Sequence, residues 1–183
     1  MAWLLRNARI ADELPVVDIA IEAGKIAAIG PAEQADGDQV WDLDGRVVLP
    51  GLIDAHTHLD KTYLNVQNQS GTLREAIDRW IAAKSTRSRA QVQAAARRAL
   101  RTAIANGVTA MRSHVDTETA ADLATLETLL GLREEMAGLI DLQFVALGNI
   151  SAGEEAKQTL REALRMGVDC VGGAPSLTAD PHS

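Results

Sequence analysis

The sequence predicts an α/β protein in two parts: a small β segment over residues 1–50, then a parallel-sheet region over residues 51–183. Three observations lead there. Short apolar runs broken by glycine-containing turns fill the first fifty residues. After Gly51, four near-continuous apolar runs alternate with segments of helical spacing, which is the pattern of parallel strands buried on both faces. No G-x-G-x-x-G turn follows a strand, which weakens a dinucleotide-binding reading and leaves an open doubly wound sheet or a barrel.

In the first part, "VVDIAIEAGKIAAIG" reads as two strands with Ile19 and Ile21 on one face and a turn at Gly24-Lys25. "PAEQADGDQ" is a polar loop, and "VWDLDGRVVLP" reads as a second hairpin turning at Asp44-Gly45. Such a layer is too small to hold a core alone.

The second part opens on the strand "GLIDAHTHL". A helix follows, with Thr72 and Glu75 as a capping box ahead of Ile77, Trp80 and Ile81. "KSTRSR" reads as a solvated linker. The next helix, residues 89–105, gathers Val92, Ala96, Ala99, Leu100 and Ile104 on one side and stops at Asn106-Gly107. "VTAMRSHVD" is the second strand. Residues 120–136 form a helix with Leu123, Leu126, Leu129 and Leu130 at helical spacing, and "LIDLQFVAL" is the third strand. Ser151 and Glu154 suggest a capping box for a helix ending at Gly167, ahead of the fourth strand, "VDCVGGAP".

The net charge of −7 argues against nucleic acid and anionic membranes as partners, because phosphates would repel it. The single cysteine, Cys170, permits no intrachain disulfide and reads as a small core residue. The N-terminal stretch lacks the apolar core and cleavage site of a signal peptide, and no apolar run is long enough to span a bilayer. The expectation is a cytoplasmic protein.

Side chains two apart on a strand share a face, so Asp54, His56, His58 and Asp60 are expected on one face of the first strand, the histidines near its C-terminal end. Catalytic groups of (β/α) barrels project from that end. Two neutral imidazoles held so close can bind one divalent ion. The plainer alternative is a pair of partly exposed strand-end histidines.

"VVLPGLIDAHTHLDKT" resembles the first barrel strand of the amidohydrolase superfamily with its lead-in from a β-sandwich. "NQSGTLREAIDRW", "ANGVTAMRSHVD" and "IDLQFVAL" resemble the cytosine deaminase branch in order and spacing. The resemblance implies a metal-dependent hydrolase whose fold is a (β/α)8 TIM-like barrel, with residues 1–50 part of a small β-sandwich and residues 51–183 the first four β/α units. His56 and His58 would match the first two ligands of one divalent ion, zinc or iron. "VDCVGGAP" carries no lysine or glutamate to bridge a second ion, so a single-ion site is expected. The remaining ligands and the acid/base residues are expected beyond Ser183, since a closed barrel alone takes about 250 residues. The implied chemistry is hydrolytic removal of ammonia from a heterocycle by water acidified on the ion.

Asn149 falls where the cytosine deaminases carry a substrate-binding glutamine, which puts cytosine itself in doubt; its competing role is a turn residue beside Gly148. His114 lines the substrate pocket or supports a ligand from behind, against the alternative of a satisfied strand-end histidine. Lys61 reads as an exposed loop lysine, Trp80 and Ile81 as a helix face packed on the barrel, and His182 as an exposed residue near the terminus. Three functions stay open: a deaminase of heterocycles, an amidase acting on a cyclic amide or a triazine-like ring, and a catalytically incomplete chain. An open half-barrel would also favour self-association through its free strand edges.

Overall fold

The computed structural model describes residues 2–12, 14–31, 39–63 and 67–174. The chain divides into two compact units, Met1–Pro50 and Gly51–Ser183. The polar loop expected from residue 31 to 39 and His182 lie largely or wholly outside the described residues.

Unit one is a single mixed sheet of β1 (Ala2–Ala8), β2 (Val17–Glu22), β3 (Lys25–Gly30) and β4 (Gln39–Asp42), in the order β3-β2-β1-β4. Leu4, Ala8 and Ile19 are its buried apolar residues. The β2–β3 turn sits at Ala23-Gly24, one residue earlier than expected. Both residues have positive φ, as a two-residue hairpin loop requires, with Glu22 paired to Lys25.

The second hairpin is not formed. β4 runs parallel to β1, and after the turn at Asp44-Gly45 the chain continues in the same direction, with Val47 bridging Arg9 in parallel. Arg9 N donates to Arg46 O and Val48 N to Arg9 O, so the positive-φ pair makes a kink beside β1 and not a reversal.

Unit two contains β5 (Leu52–Thr57), α1 (Leu73–Lys84), α2 (Arg89–Ala105), β6 (Val108–Asp116), α3 (Ala120–Glu135), β7 (Asp141–Leu147), α4 (Glu154–Met166) and β8 (Cys170–Gly172). All four strands are parallel and lie in chain order, β5-β6-β7-β8. A doubly wound sheet reverses its strand order at a switch point, and these strands do not.

The core forms where Met111 and Val115 of β6 and Leu142, Phe144 and Ala146 of β7 meet Leu100, Leu126, Leu129, Leu132 and Leu160 from the helices. The other face of β6 and β7 exposes Arg112 and Gln143, joined by two hydrogen bonds of 3.0 and 2.8 Å. Burial on this second face is partial: Val145 is buried there, while Arg112 and Gln143 are exposed. Among those residues no helix is long and apolar enough to cross a membrane.

Caps set most helix ends. Ser88 with Gln91 and Thr119 with Asp122 form full capping boxes for α2 and α3. Thr72 caps α1 through Glu75 N, but the Glu75 carboxylate accepts from Ser70 N and Gln69 N instead of closing the box. The box expected at Ser151 and Glu154 is absent: Ser151 lies in a 3-10 turn, and Gly153 precedes α4 with no side-chain cap.

Gly51 leads into β5 against Thr109, where an added Cβ would stand 2.8 Å from the Thr109 Cβ. Gly51→Ala is expected to cost about 1–3 kcal/mol through that overlap, measured by urea unfolding.

Candidate functional site

The C-terminal ends of the four parallel strands bring the candidate residues to one edge of the sheet. β5 ends at Thr57, so His56 is its penultimate residue and His58 begins the turn beyond it. The turn is pinned by Lys61 N donating to His58 O (3.0 Å) and by Leu59, which is fully buried and donates its N–H to Ser113 Oγ (2.9 Å). These two bonds, at His58 and just after it, fix the turn that carries the ring.

Strict alternation does not extend down to Asp54. Asp54 aligns with Met111 and Thr57 with Ser113, two residues on the same face of β6. A register shift between them therefore puts Asp54 on the face opposite His56, where its Oδ1 accepts from His56 N (3.2 Å).

Three imidazoles converge above the strand ends. The ring centres of His56 and His58 are 5.4 Å apart, and His114, from the end of β6, stacks on His56 at 4.2 Å and 21°. Two imidazoles sharing one tetrahedral ion at about 2.0–2.1 Å hold their ring centres roughly 5 Å apart, so the His56–His58 spacing fits an ion. Burial, followed by the Lys61 ammonium, pushes the His58 ring down to about 4, which keeps it neutral as a ligand must be. Burial and then His56 also lower His114. Among the described residues no group of three or more His, Cys, Asp or Glu side chains is arranged to hold an ion, so the pair alone is an incomplete ligand set.

Beneath the histidines lies a charged network that the sequence reading missed. Lys61 is not exposed: its Nζ contacts Asp116 Oδ1 at 2.6 Å and Asp60 Oδ2 at 3.4 Å. Lys84, the last residue of α1, bridges Asp116 (3.2 Å) and Asp122 (2.6 Å). Trp80 Nε1 donates to Asp116 Oδ2 at 2.8 Å, so Trp80 serves as a hydrogen-bond donor, while Ile81 is exposed instead of packed.

The supposed linker also takes part, with Arg87 donating to Asp60 O (2.7 Å) and Ser88 capping α2. Burial pushes the Asp60 carboxyl up to about 6 against the pull of Lys61. Burial acts the same way on Asp116, but Lys61 and Trp80 outweigh it and hold that carboxyl below the usual range. The signal available in the sequence was the adjacent Asp60-Lys61 pair followed by Asp116, two residues after a histidine.

Asn149 follows β7 at the same edge of the sheet. Its Oδ1 accepts from Ser151 N at 3.0 Å, which is the turn role. Cys170, on β8, is half-buried.

Residues 39–80, which include the histidine pair, match the amidohydrolase family. Over 97% of this chain, the fold superposes on 5-methylcytosine deaminase from Klebsiella pneumoniae with a TM-score of 0.87 and 31% identity. The chain resembles amidohydrolases along nearly its whole length. A second amidohydrolase-like structure, N-isopropylammelide isopropylaminohydrolase from Burkholderia multivorans, aligns over 97% of the chain with a TM-score of 0.81 and 33% identity. N-isopropylammelide isopropyl amidohydrolase from Pseudomonas sp. (strain ADP) is 27% identical over 97% of the chain. The chain spans about half the length of those relatives, 45% and 46% of the two structures and 46% of the Pseudomonas protein.

Proposed function

We propose that the protein supplies the first, metal-bearing part of an amidohydrolase that hydrolytically removes ammonia from a nitrogen heterocycle. Its sheet would be the first four strands of a (β/α)8 barrel, and unit one part of a β-sandwich. The observation that carries this reading is the pair of imidazoles, His56 and His58, presented at ion-sharing distance by the end of the first parallel strand. In this reading both hold one divalent ion, zinc or iron. Such an ion supplies a water acidified toward neutral pH.

Two of the chain's own residues shape the space beside that water. His114 backs the His56 ring and gives a planar substrate a flat wall to enter against. Asn149 has its oxygen committed to the turn, so any contact with a ring edge falls to its amide nitrogen.

A second reading, removal of a substituted amine from a triazine-like ring, draws support from the likeness to the Burkholderia aminohydrolase and from the shorter amide at Asn149. The test is ion content together with product analysis on the full-length protein, across pyrimidines, purines and alkylamino-triazines. Ammonia from an unsubstituted ring amine supports the first reading, and alkylamine release supports the second. A protein without bound ion and without either product overturns both. Residues 1–183 expressed alone are expected to show no appreciable turnover, because two histidines neither complete the ligand set nor supply a proton shuttle. Metal-dependent hydrolysis by that segment would contradict this.

A further inference from the structure

Asp60 is an unusual residue to find beside a histidine pair. It is 1% exposed, and its Oδ1 has no hydrogen-bond partner among the described residues, whereas buried carboxylate oxygens are normally satisfied. That oxygen lies 4.0 Å from His58 Nδ1. A closure of about 1 Å would make a hydrogen bond.

The same ring nitrogen has a rival neighbour, Lys61 Nζ, at 3.5 Å. The two neighbours ask opposite things of the ring. A lysine ammonium only donates, so pairing with it needs a lone pair on Nδ1 and places the proton of the neutral ring on Nε2. A carboxylate only accepts, so pairing with Asp60 places the proton on Nδ1 and leaves the Nε2 lone pair free. Only the second tautomer offers an ion the nitrogen on the far side of the ring.

The surroundings decide between them. Lys61 is drawn away by Asp116 at 2.6 Å and by Asp60 Oδ2 at 3.4 Å, and it lies 5.1 Å from the centre of the Trp80 ring. Asp60 is held from behind by Asp116 N on its Oδ2 and by Arg87 on its backbone oxygen. Its Oδ1 is the atom left to act.

We infer that Asp60 is a positioning residue: its Oδ1 accepts the Nδ1 proton of His58 and thereby presents His58 Nε2 to the ion. Lys61 neutralises the buried carboxylate without competing for the ring. This rests on the reading of His58 as a metal ligand, and the experiment separates the two.

The primary measurement is a long-range proton–nitrogen NMR spectrum of the ion-free, full-length wild-type protein with labelled histidine, the His58 signals being assigned by their loss in His58→Gln. The expected result is a neutral ring protonated at Nδ1; protonation at Nε2 overturns the inference, and this needs no folded Asp60 variant. The second measurement is zinc affinity by chelator competition. Asp60→Asn is expected to bind zinc about 10- to 100-fold more weakly. An Asp60→Asn protein that is folded by circular dichroism and binds zinc within threefold of wild type overturns the positioning role. If wild type binds zinc no better than His58→Ala, the metal reading of His58 itself fails, and this inference with it.

Discussion

Replacing His58 with alanine in the full-length protein is expected to weaken divalent-ion binding on the order of a thousandfold and to abolish measurable hydrolysis. The effect is large because a ligand set loses affinity steeply when one member is removed from a rigid frame, and the frame here is rigid. Leu59 is buried and bonded to Ser113 just after the ring, so the backbone there is anchored and does not shift to offer a substitute ligand. The fold should survive, since the His58 side chain is one-third exposed and its ring lies outside the apolar core. Ion content by elemental analysis, activity, and a melting temperature within a few degrees of wild type are the three readouts. A variant that keeps both ion and activity would sink the metal assignment.

The second large effect belongs to Asp116. This carboxylate receives Lys61, Lys84 and Trp80, so Asp116→Ala leaves two partly buried ammonium groups facing one another without their shared partner. Breaking a buried pair costs about 3–5 kcal/mol. Side chains 16–24% exposed keep some water, so about 3 kcal/mol is expected, read from urea unfolding. Lys61 keeps Asp60 and Lys84 keeps Asp122, so the control is Asp116→Ala combined with Lys61→Met, which removes one of the two facing charges and should recover part of the loss. An Asp116→Ala protein as stable as wild type would mean that the network contributes only surface-type ion pairs.

Much of this fold was legible because helix and strand periods are local properties of the chain. The span of β6, the bounds of α2 and its buried Val92, Ala96 and Leu100 follow from spacing and from the Gly107 stop. The errors came where distant partners decide. β4 reads as half of a hairpin until β1 is there to pair with it in parallel, and Asp44-Gly45 is then a kink. Ser151 and Glu154 have the right spacing for a cap, yet Asn149 takes Ser151 N first and the backbone turns at Gly153.

The site divides along the same line. His56 and His58 are visible as a pair two residues apart. Lys61 and Lys84 share Asp116, and Lys84 reaches Asp122, only after α1 and α3 are docked, so nothing local in "KSTRSR" reports these carboxylates.

The unbroken order β5-β6-β7-β8 also bears on how the protein is made. Each strand hydrogen-bonds to the one synthesised just before it: Ile53 aligns with Ala110, Ala110 with Asp141, and Val145 with Cys170. At about 5–20 residues per second, a new strand emerges from the ribosome within seconds of its neighbour and finds that neighbour already waiting. The sheet can therefore lengthen in the direction of translation, one crossover at a time, and no strand has to wait for a slot between two others. The histidine-bearing strand is the first laid down, and it is the template on which the rest of the sheet is assembled.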